Sequence, residues 1–396
     1  MTRIWEKGLP LDERILKFTA GEDHQLDNRL LEYDILASIA HAKMLDKQGL
    51  LTTQDSTAIC NGLENLGKQH AKGKWAINLE EEDVHGAIES RLIKLIGPIG
   101  GAVHLGRSRN DQVLVALRLY LKDAAHALQS GALAVADSLD TLAKEQGNIL
   151  LPGYTHMQPA MPSSVALWAN GFATEIRDDA QGLKTAEIRA DLNPLGSAAG
   201  YGTPGIEIDR KLTTELLQFS DAQEPVTAVQ LSRGKAEAGL VFEIALLLGD
   251  LGRLAADLLL FYTNEFAFVT LPDEMTTGSS IMPQKRNPDV LELVRSSQAV
   301  ATAALTEILS ITAKLNSGYQ RDLQRIKAPL FRSIDLANDT VEIMAHTLKG
   351  ITFEQENIKL PPEINAAESA NRLALKEGIP FRDAYRKIAN STKDTD

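Results

Sequence analysis

The sequence predicts an all-α protein built from long amphipathic helices. Within residues 230–261, leucine and isoleucine recur at steps of three and four, and acidic residues repeat on the other side. Few segments have the composition of a strand, and residues 267–271 are one possible short strand. The chain does not alternate strands with helices, which argues against a doubly wound sheet. The same helical spacing covers residues 111–146, 163–189, 289–315 and 322–348.

These apolar stripes are longer than an ordinary globular helix needs. Residues 230–261 would extend roughly 45 Å at about 1.5 Å per residue, so the stripe predicts partner helices within the chain or across subunits. Breaks rich in glycine and proline separate three parts of the chain. We expect an N-terminal helical domain (1–105), a central long-helix bundle domain (106–350) and a C-terminal helical piece (351–396).

The composition excludes several classes of function. The 396 residues include 41 basic and 53 acidic side chains, and the net charge of −12 argues against nucleic-acid binding or a polybasic membrane anchor. The single cysteine, Cys60, cannot form an internal disulfide. The charged start lacks the apolar segment of a secretory signal, and three prolines disfavour a membrane span in the uncharged stretch 147–174. We therefore expect a cytoplasmic protein that binds no nucleic acid and no membrane.

Two patterns that could indicate a cofactor have better explanations. Residues 200–205 match the dinucleotide fingerprint G-x-G-x-x-G, but Pro204 removes a backbone donor and no apolar strand precedes the match. We interpret this segment as a loop. The eight histidines are scattered, with no His-Glu-x-x-His pattern and no cysteine cluster, so we expect no zinc site.

Three polar clusters interrupt the helical pattern and are the candidate chemical sites. The first, residues 104–112, has the sequence HLGRSRNDQ, a dense set of donors suited to binding a carboxylate. Its alternative interpretation is an ordinary helix start capped by Asn110 or Asp111.

The other two clusters lie further along the chain. In residues 153–162, His156 follows a glycine turn between Thr155 and Gln158, just before a predicted helix; a purely structural histidine is the alternative. In residues 276–288, Lys285 and Asn287 lie in a loop rich in glycine, serine and proline. A cation and an amide can stabilise a developing anion, although a flexible linker is the alternative.

Together the three clusters resemble a known superfamily. The third resembles the G-S-S-x-M-P-x-K-x-N-P signature of the fumarase/aspartase superfamily. The first two resemble its argininosuccinate lyase branch, with G-R-S-R-N-D-Q and G-Y-T-H-x-Q. The similarity extends from about Trp5 to Tyr385. It implies a three-part all-α fold whose central bundle assembles as a homotetramer, with active sites shared between subunits. It also implies a small-molecule substrate, argininosuccinate, and no metal or organic cofactor.

The resemblance implies catalytic roles for residues at matching positions. Ser279 would be the general base that removes a proton from the carbon next to the one bearing the departing nitrogen. Lys285 and Asn287 would stabilise the resulting carbanion. His156 would assist the leaving nitrogen, and Glu292 would pair with His156.

The same resemblance implies a set of substrate-binding positions. They come from the first two polar clusters, from an acidic-histidine motif and from two places further along the chain. They are Ser108, Arg109, Asn110, Thr155, Gln158, Arg233, Tyr319, Gln324, Lys327, Asp83 and His85.

The chain departs from the family pattern in three places. Gly21 stands where many members have a serine that touches substrate, and the acid that usually neighbours the arginine at the Arg233 position is missing. The C-terminal piece is also shorter than is typical. These departures leave two alternatives: a sister lyase acting on another succinyl-amine adduct, or a catalytically silent structural homologue like some δ-crystallins. Intact Ser279, Lys285, His156 and Glu292 argue against the silent homologue.

Overall fold

The computed structural model describes residues 12–393, with side chains described up to residue 390, and most of these residues are helical. The ends of the first and last predicted domains, residues 1–11 and 394–396, lie outside the described residues, as does Trp5. The helices are α1 (Glu13–Ala20), α2 (Asp23–Leu26), α3 (Leu31–Lys47), α4 (Thr53–Ala71), α5 (Val84–Ile96), α6 (Arg109–Gln146), α7 (Val165–Ala190), α8 (Arg210–Leu216), α9 (Val226–Leu231), α10 (Lys235–Tyr262), α11 (Asp289–Thr312), α12 (Lys327–Gly350), α13 (Ala366–Glu377) and α14 (Phe381–Lys393).

The five long helices predicted from hydrophobic periodicity are present, with small shifts at their ends. The largest shift concerns the stretch predicted from residue 230, where the structure has two helices, α9 and α10, instead of one. The break falls at Gly234, whose φ of 85° is a conformation that favours glycine. A 3₁₀ segment, Arg321–Ile326, likewise precedes α12, which the sequence analysis had started at residue 322.

Strands are few and short, but one hairpin was missed by the sequence analysis. Strand β1 (Leu150–Thr155) pairs antiparallel with β2 (Gln158–Ser164), so the second polar cluster lies on a hairpin and not in a turn leading to a helix. Strands β3 (Leu192–Asn193) and β4 (Asp221–Ala222) form a parallel pair. Strand β5 (Val269–Thr270) lies within the predicted strand 267–271 and pairs with β6 (Thr352–Phe353).

The chain folds as two compact units, each made of three separate segments. Unit 1 contains the residues up to Leu128 together with Gly182–Ile244 and Val300–Asp335, and unit 2 contains Gln129–Gln181, Ala245–Ala299 and the residues from Leu336 onward. Each of the five long helices contributes residues to both units. The division into three domains along the sequence remains a prediction.

Unit 1 has an apolar core that fixes the start of α6 against α3 and the segment before α8. Side chains of Ala37, Ala40, Val115, Leu195 and Phe219 form one buried cluster there. The rejected dinucleotide match, residues 200–205, is an irregular loop in this unit, as expected.

Unit 2 has a cluster of aromatic side chains beneath its two short sheets. Trp168 on α7 contacts Phe172, Phe261 and Phe353, with ring centroids 5.5 to 5.9 Å apart. Its indole N–H donates to Asp257 Oδ2 at 3.0 Å, which satisfies the polar end of the ring. Helices α6 and α12 approach closely at Gly131, where an added Cβ would lie 2.4 Å from Val341.

None of the helices within residues 12–393 combines the length and the apolar character that a membrane span requires.

Candidate active site

Unit 1 contains an open cavity whose wall carries both acidic and basic side chains. It gathers residues from α2, α5, the start of α6, the α9–α10 break and the 3₁₀ segment before α12. Eight of the eleven predicted substrate-binding residues line it: Asp83, His85, Arg109, Asn110, Arg233, Tyr319, Gln324 and Lys327.

Lys327, at the start of α12, is buried between two carboxylates. Its Nζ lies 2.7 Å from Asp27 Oδ1 and 2.9 Å from Asp23 Oδ2. Burial disfavours the ammonium form, but Asp27 and Asp23 outweigh it and raise the pKa of Lys327. For Asp23, burial dominates over the attraction of Lys327 and raises the pKa to about 7. The cavity therefore contains a carboxyl group that titrates near neutral pH.

Some residues of the first polar cluster hold the start of α6 in place, and others line the cavity. Ser108 Oγ accepts a hydrogen bond from Asn110 N, and the buried Asp111 accepts from the backbone of Ser108, Gly196 and Ala198. Ser108 and Asp111 thus fix the start of α6. The capping residue is Ser108, which precedes the helix, and not Asn110 or Asp111 as the capped-helix interpretation expected. Arg109 and Asn110, the two residues that follow Ser108, line the cavity instead.

Arg109 is already engaged by two carboxylates. Its Nη1 lies 3.2 Å from Asp83 Oδ2 and 3.4 Å from Glu82 Oε2. Asp83 also caps α5 by accepting a hydrogen bond from Gly86 N at 2.8 Å. A substrate carboxylate would have to compete with both acids for this guanidinium.

Arg233 lies just before α10 and has a looser carboxylate partner. Its guanidinium carbon is 5.9 Å from the ring centroid of Tyr319, and its Nε is 3.8 Å from Glu237 Oε1, one helical turn later. Among the described residues, its buried Nε and Nη1 atoms have no hydrogen-bond partner. Glu237 therefore places a carboxylate near Arg233 where the sequence had indicated that the neighbouring acid was missing.

Gln324 fixes the turn that contains the family departure at Gly21. Its Nε2 donates to the carbonyl oxygens of Thr19 and Ala20 at 2.9 and 3.1 Å. Gly21 has a φ of 54°, and a Cβ added there would lie 3.5 Å from Gln324 Nε2. The position of Gly21 thus adjoins a predicted substrate-binding side chain.

His85 lies on α5 and forms the buried end of the cavity wall. Its Nδ1 is 2.8 Å from Asp34 Oδ2 on α3. Burial would lower the pKa of His85, but the Asp34 carboxylate outweighs it and raises the pKa.

The predicted general base, Ser279, belongs to unit 2 and lies in a loop closed at its base. Thr277 and Asn287 exchange backbone hydrogen bonds of 3.0 and 2.8 Å, so the two ends of the loop between them lie side by side. The Ser279 hydroxyl oxygen accepts hydrogen bonds from Met282 N at 3.2 Å and Ile281 N at 3.4 Å. Two backbone donors thus point at the atom that must carry negative charge when serine acts as a base.

The remaining third-cluster residues are arranged around the same loop. Asn287 Nδ2 donates to Gly278 O at 3.4 Å, which holds the amide near the residue before Ser279. Lys285 is exposed on the loop surface. Glu292 lies exposed in the first turn of α11, which begins directly after the loop.

His156 occupies the tip of the β1–β2 hairpin. Thr155 and Gln158 form the last strand pair, and His156 and Met157 form the two-residue turn with φ values of 53° and 60°. Positive φ at both central positions is the geometry of a type I′ turn, which is unusual for residues other than glycine, asparagine and aspartate. Thr155, His156 and Gln158 are all exposed.

Within residues 12–393, no hydrogen bond or ion pair joins His156 to Glu292 or to Ser279. The predicted catalytic residues belong to unit 2, whereas the residues that line the cavity belong to unit 1. The cavity also includes acids that the sequence analysis missed: Asp23, Asp27 and Glu82. In the sequence, only their position beside the motifs marks these acids as candidate site residues. Their residue type does not, because acids in amphipathic helices usually face solvent.

In the described part of the chain, no group of three or more histidine, cysteine or acidic side chains is arranged to hold a metal ion.

Comparison with known proteins identifies the family. A family model described as "Lyase" matches residues 9–302. The chain is 43% identical to argininosuccinate lyase of Sorangium cellulosum over 98% of this chain and 90% of that protein. It is 41% identical to the Thermotoga neapolitana enzyme of the same name, over 98% of this chain and 97% of that protein.

Solved structures share the fold at lower sequence identity. An EDDS lyase crystallised with formate superposes with a TM-score of 0.80 at 23% identity, covering 96% of this chain and 76% of that one. A class II fumarase from Schistosoma mansoni gives a TM-score of 0.77 at 18% identity, covering 96% and 93%. These likenesses confirm the predicted all-α fold. With near-full-length identity above 40% to two argininosuccinate lyases, the chain belongs to the argininosuccinate lyase family of the fumarase/aspartase superfamily.

Proposed function

We propose that the chain cleaves argininosuccinate to L-arginine and fumarate, acting as a carbon–nitrogen lyase. The relatives named above support the reaction, and one structural observation supports the substrate. The unit 1 cavity is lined by Arg109, Arg233 and Lys327 together with Asp23 and Asp83. Argininosuccinate carries carboxylates, an ammonium and a guanidinium, so its recognition requires both signs of charge in one cavity.

The first chemical step requires a base that attacks a weakly acidic C–H bond. We assign this role to Ser279, whose hydroxyl oxygen already accepts the backbone N–H groups of Met282 and Ile281. These donors favour the alkoxide over the neutral hydroxyl, since hydrogen bonds to the charged form lower the pKa of an acid. Proton loss leaves a carbanion whose charge spreads into the adjacent carboxylate.

The second step expels the guanidino nitrogen of arginine as the carbon–carbon double bond of fumarate forms. We assign stabilisation of the carbanion to Lys285 and Asn287, whose cation and amide donor meet the growing negative charge. His156 assists the leaving nitrogen and Glu292 supports His156. Ser108, Thr155, Gln158, Tyr319 and Gln324 complete the predicted contacts to substrate.

The assay is the release of fumarate and L-arginine from argininosuccinate, followed by fumarate absorbance and by chromatography. A panel of other succinyl-amine adducts, run in parallel, tests the sister-lyase alternative raised by Gly21. Ser279→Ala serves as the matched control, because it removes one hydroxyl from an intact fold. Fumarate release from another adduct but not from argininosuccinate would refute the proposed substrate. The absence of turnover with every adduct would support the silent homologue.

We further propose that the chain works as a homotetramer in the cytoplasm. Large apolar side chains remain exposed on the long helices, among them Leu167 on α7 (67%), Phe242 on α10 (48%) and Leu293 on α11 (69%). Such faces are expected to be covered by partner subunits. The single cysteine requires no oxidising compartment.

A subunit-mixing experiment tests whether active sites are shared. Chains carrying Ser279→Ala and chains carrying His156→Asn are mixed one to one, unfolded and refolded together. If each site takes these residues from different subunits, random assembly restores about a quarter of the sites, 0.5 × 0.5, in a closed symmetric oligomer. If both residues come from one chain, every site keeps one lesion. Recovery near zero in proven mixed tetramers would contradict site sharing.

A further inference from the structure

A buried polar network adjoins the cavity wall, and only one of its members, His85, is among the predicted substrate-binding residues. Asp34 on α3 accepts a hydrogen bond from His85 Nδ1, and the side chains of the pair are only 1% and 3% exposed. The other carboxylate oxygen, Asp34 Oδ1, lies 3.6 Å from Arg107 Nη2 and accepts from Ser38 Oγ at 3.2 Å. Ser38 Oγ in turn accepts from Arg107 Nη1 at 2.9 Å.

This network uses both carboxylate oxygens for different purposes. Arg107 and Ser38 hold Asp34 Oδ1, which leaves Oδ2 for the histidine ring. The arrangement fixes the ring because Nδ1–H can donate only to Oδ2. A buried carboxylate next to a histidine also favours the imidazolium form, in which both ring nitrogens are donors.

The second ring nitrogen of His85, Nε2, indicates a position where a ligand can bind. His85 lines the cavity, and among the described residues its buried Nε2 has no hydrogen-bond partner. An unpaired donor in a buried side chain is unfavourable, so native structures normally provide an acceptor for it. Of the histidines with a buried, unpartnered ring nitrogen, His85 is distinguished by its place in the wall of this cavity.

We propose that Asp34 and Arg107 are positioning residues that hold His85 with its Nε2–H toward the cavity, where it donates to a carboxylate of the substrate. The proposal rests on the function proposed above, because it takes the unit 1 cavity as the binding site. It gives a role to Arg107, the first arginine of the first polar cluster, which is buried and does not line the cavity.

The test is a double-mutant cycle on steady-state kinetics. His85→Gln removes the donor and should raise KM for argininosuccinate roughly 10-fold or more, the range expected for a hydrogen bond to a charged group. The kcat value should change only a few-fold, because the contact holds the substrate in the ground state as well. Asp34→Asn should also raise KM, since the ring loses its charge and its fixed orientation.

The double variant distinguishes positioning from a general structural effect. If Asp34 acts through His85, Asp34→Asn adds nothing to KM once His85→Gln is present. Multiplying effects in the double variant, or an unchanged KM in His85→Gln, would overturn the proposal. Should Asp34→Asn not fold, Ser38→Ala replaces it in the same cycle, because it removes only the hydroxyl that holds Asp34 Oδ1.

Two controls separate this inference from the proposed function. Asp191→Asn breaks the ion pair with Lys122 in the same unit but outside the cavity wall, and should leave KM unchanged. Wild-type protein assayed alongside decides the function itself. If wild type releases no fumarate, the proposed function fails and this inference with it. If wild type is active and the variants leave KM unchanged, only the positioning role is refuted.

Discussion

The Asp23 carboxyl group should make the stability of this protein fall between pH 6 and pH 8. Burial raises its pKa from 3.8 to about 7, and neighbouring Asp27 adds to the effect while Lys327 opposes it. The folded chain therefore binds a proton at this site that the unfolded chain has already released. The contribution of Asp23 to the free energy of unfolding is fully present below the pKa of the unfolded carboxyl group. It is lost as the pH rises through the folded pKa of about 7.

The size of the effect follows from proton counting. Between pH 6 and pH 8 the folded carboxyl goes from about nine-tenths protonated to about one-tenth, while the unfolded carboxyl stays ionised. An average difference of about half a proton over two pH units amounts to about 1 kcal/mol. For a domain of 150–250 residues this corresponds to a change in Tm of roughly 2 to 4 °C.

Asp23→Asn removes the titrating group and keeps the side-chain shape. We expect the difference in Tm between pH 6 and pH 8 to shrink by this amount, measured by thermal unfolding in matched buffers. Asp335→Asn is the control, because Asp335 is 54% exposed in its pair with Arg29. An unchanged pH dependence in Asp23→Asn would show that Asp23 is ionised in the folded state at pH 6, and that Lys327 outweighs burial.

Three further outcomes are expected. Ser279→Ala should lower kcat about 10² to 10⁴-fold while L-arginine binding, measured by calorimetry, stays unchanged; near-normal turnover would place the base elsewhere. Lys285→Met should lower kcat by a similar order, about 10² to 10³-fold, since it removes the cation facing the carbanion; a change in Tm alone would make Lys285 structural. Met157→Gly should raise the free energy of unfolding by about 1 kcal/mol, because Met157 has a φ of 60°; a lower Tm would refute strain in this turn.

The helical part of the fold was predictable because its signal is periodic and long. A stripe repeated over more than twenty residues, as in α10 and α11, fits only one regular structure. The β1–β2 hairpin was not predictable in this way. Pro152, Pro159 and Pro162 argue against a strand inside a sheet, but both strands of a two-stranded ribbon have a free edge on which proline is tolerated.

The candidate site was partly predictable for a different reason. Motif residues such as Arg109 and Asn110 are identified by their sequence neighbours, so resemblance finds them before any fold is known. Asp23, Asp27 and Asp34 lie in amphipathic helical sequence, where an acid ordinarily faces solvent. Only the packing of α2 and α3 shows that these carboxylates are buried against Lys327 and His85.

The charges of the cavity differ in how available they are to a substrate. Lys327 is surrounded by Asp23 and Asp27, and Arg109 by Asp83 and Glu82, so each would have to exchange one carboxylate for another. Such an exchange gains little binding free energy, because an existing ion pair is lost as a new one forms. Arg233 has a looser ion pair, with its Nε 3.8 Å from Glu237 Oε1. Among the described residues, the Nε and Nη1 atoms of Arg233 and the Nε2 atom of His85 have no hydrogen-bond acceptor. We therefore expect these two side chains to contribute most to substrate affinity, and the paired cations to contribute mainly to the shape and charge balance of the cavity.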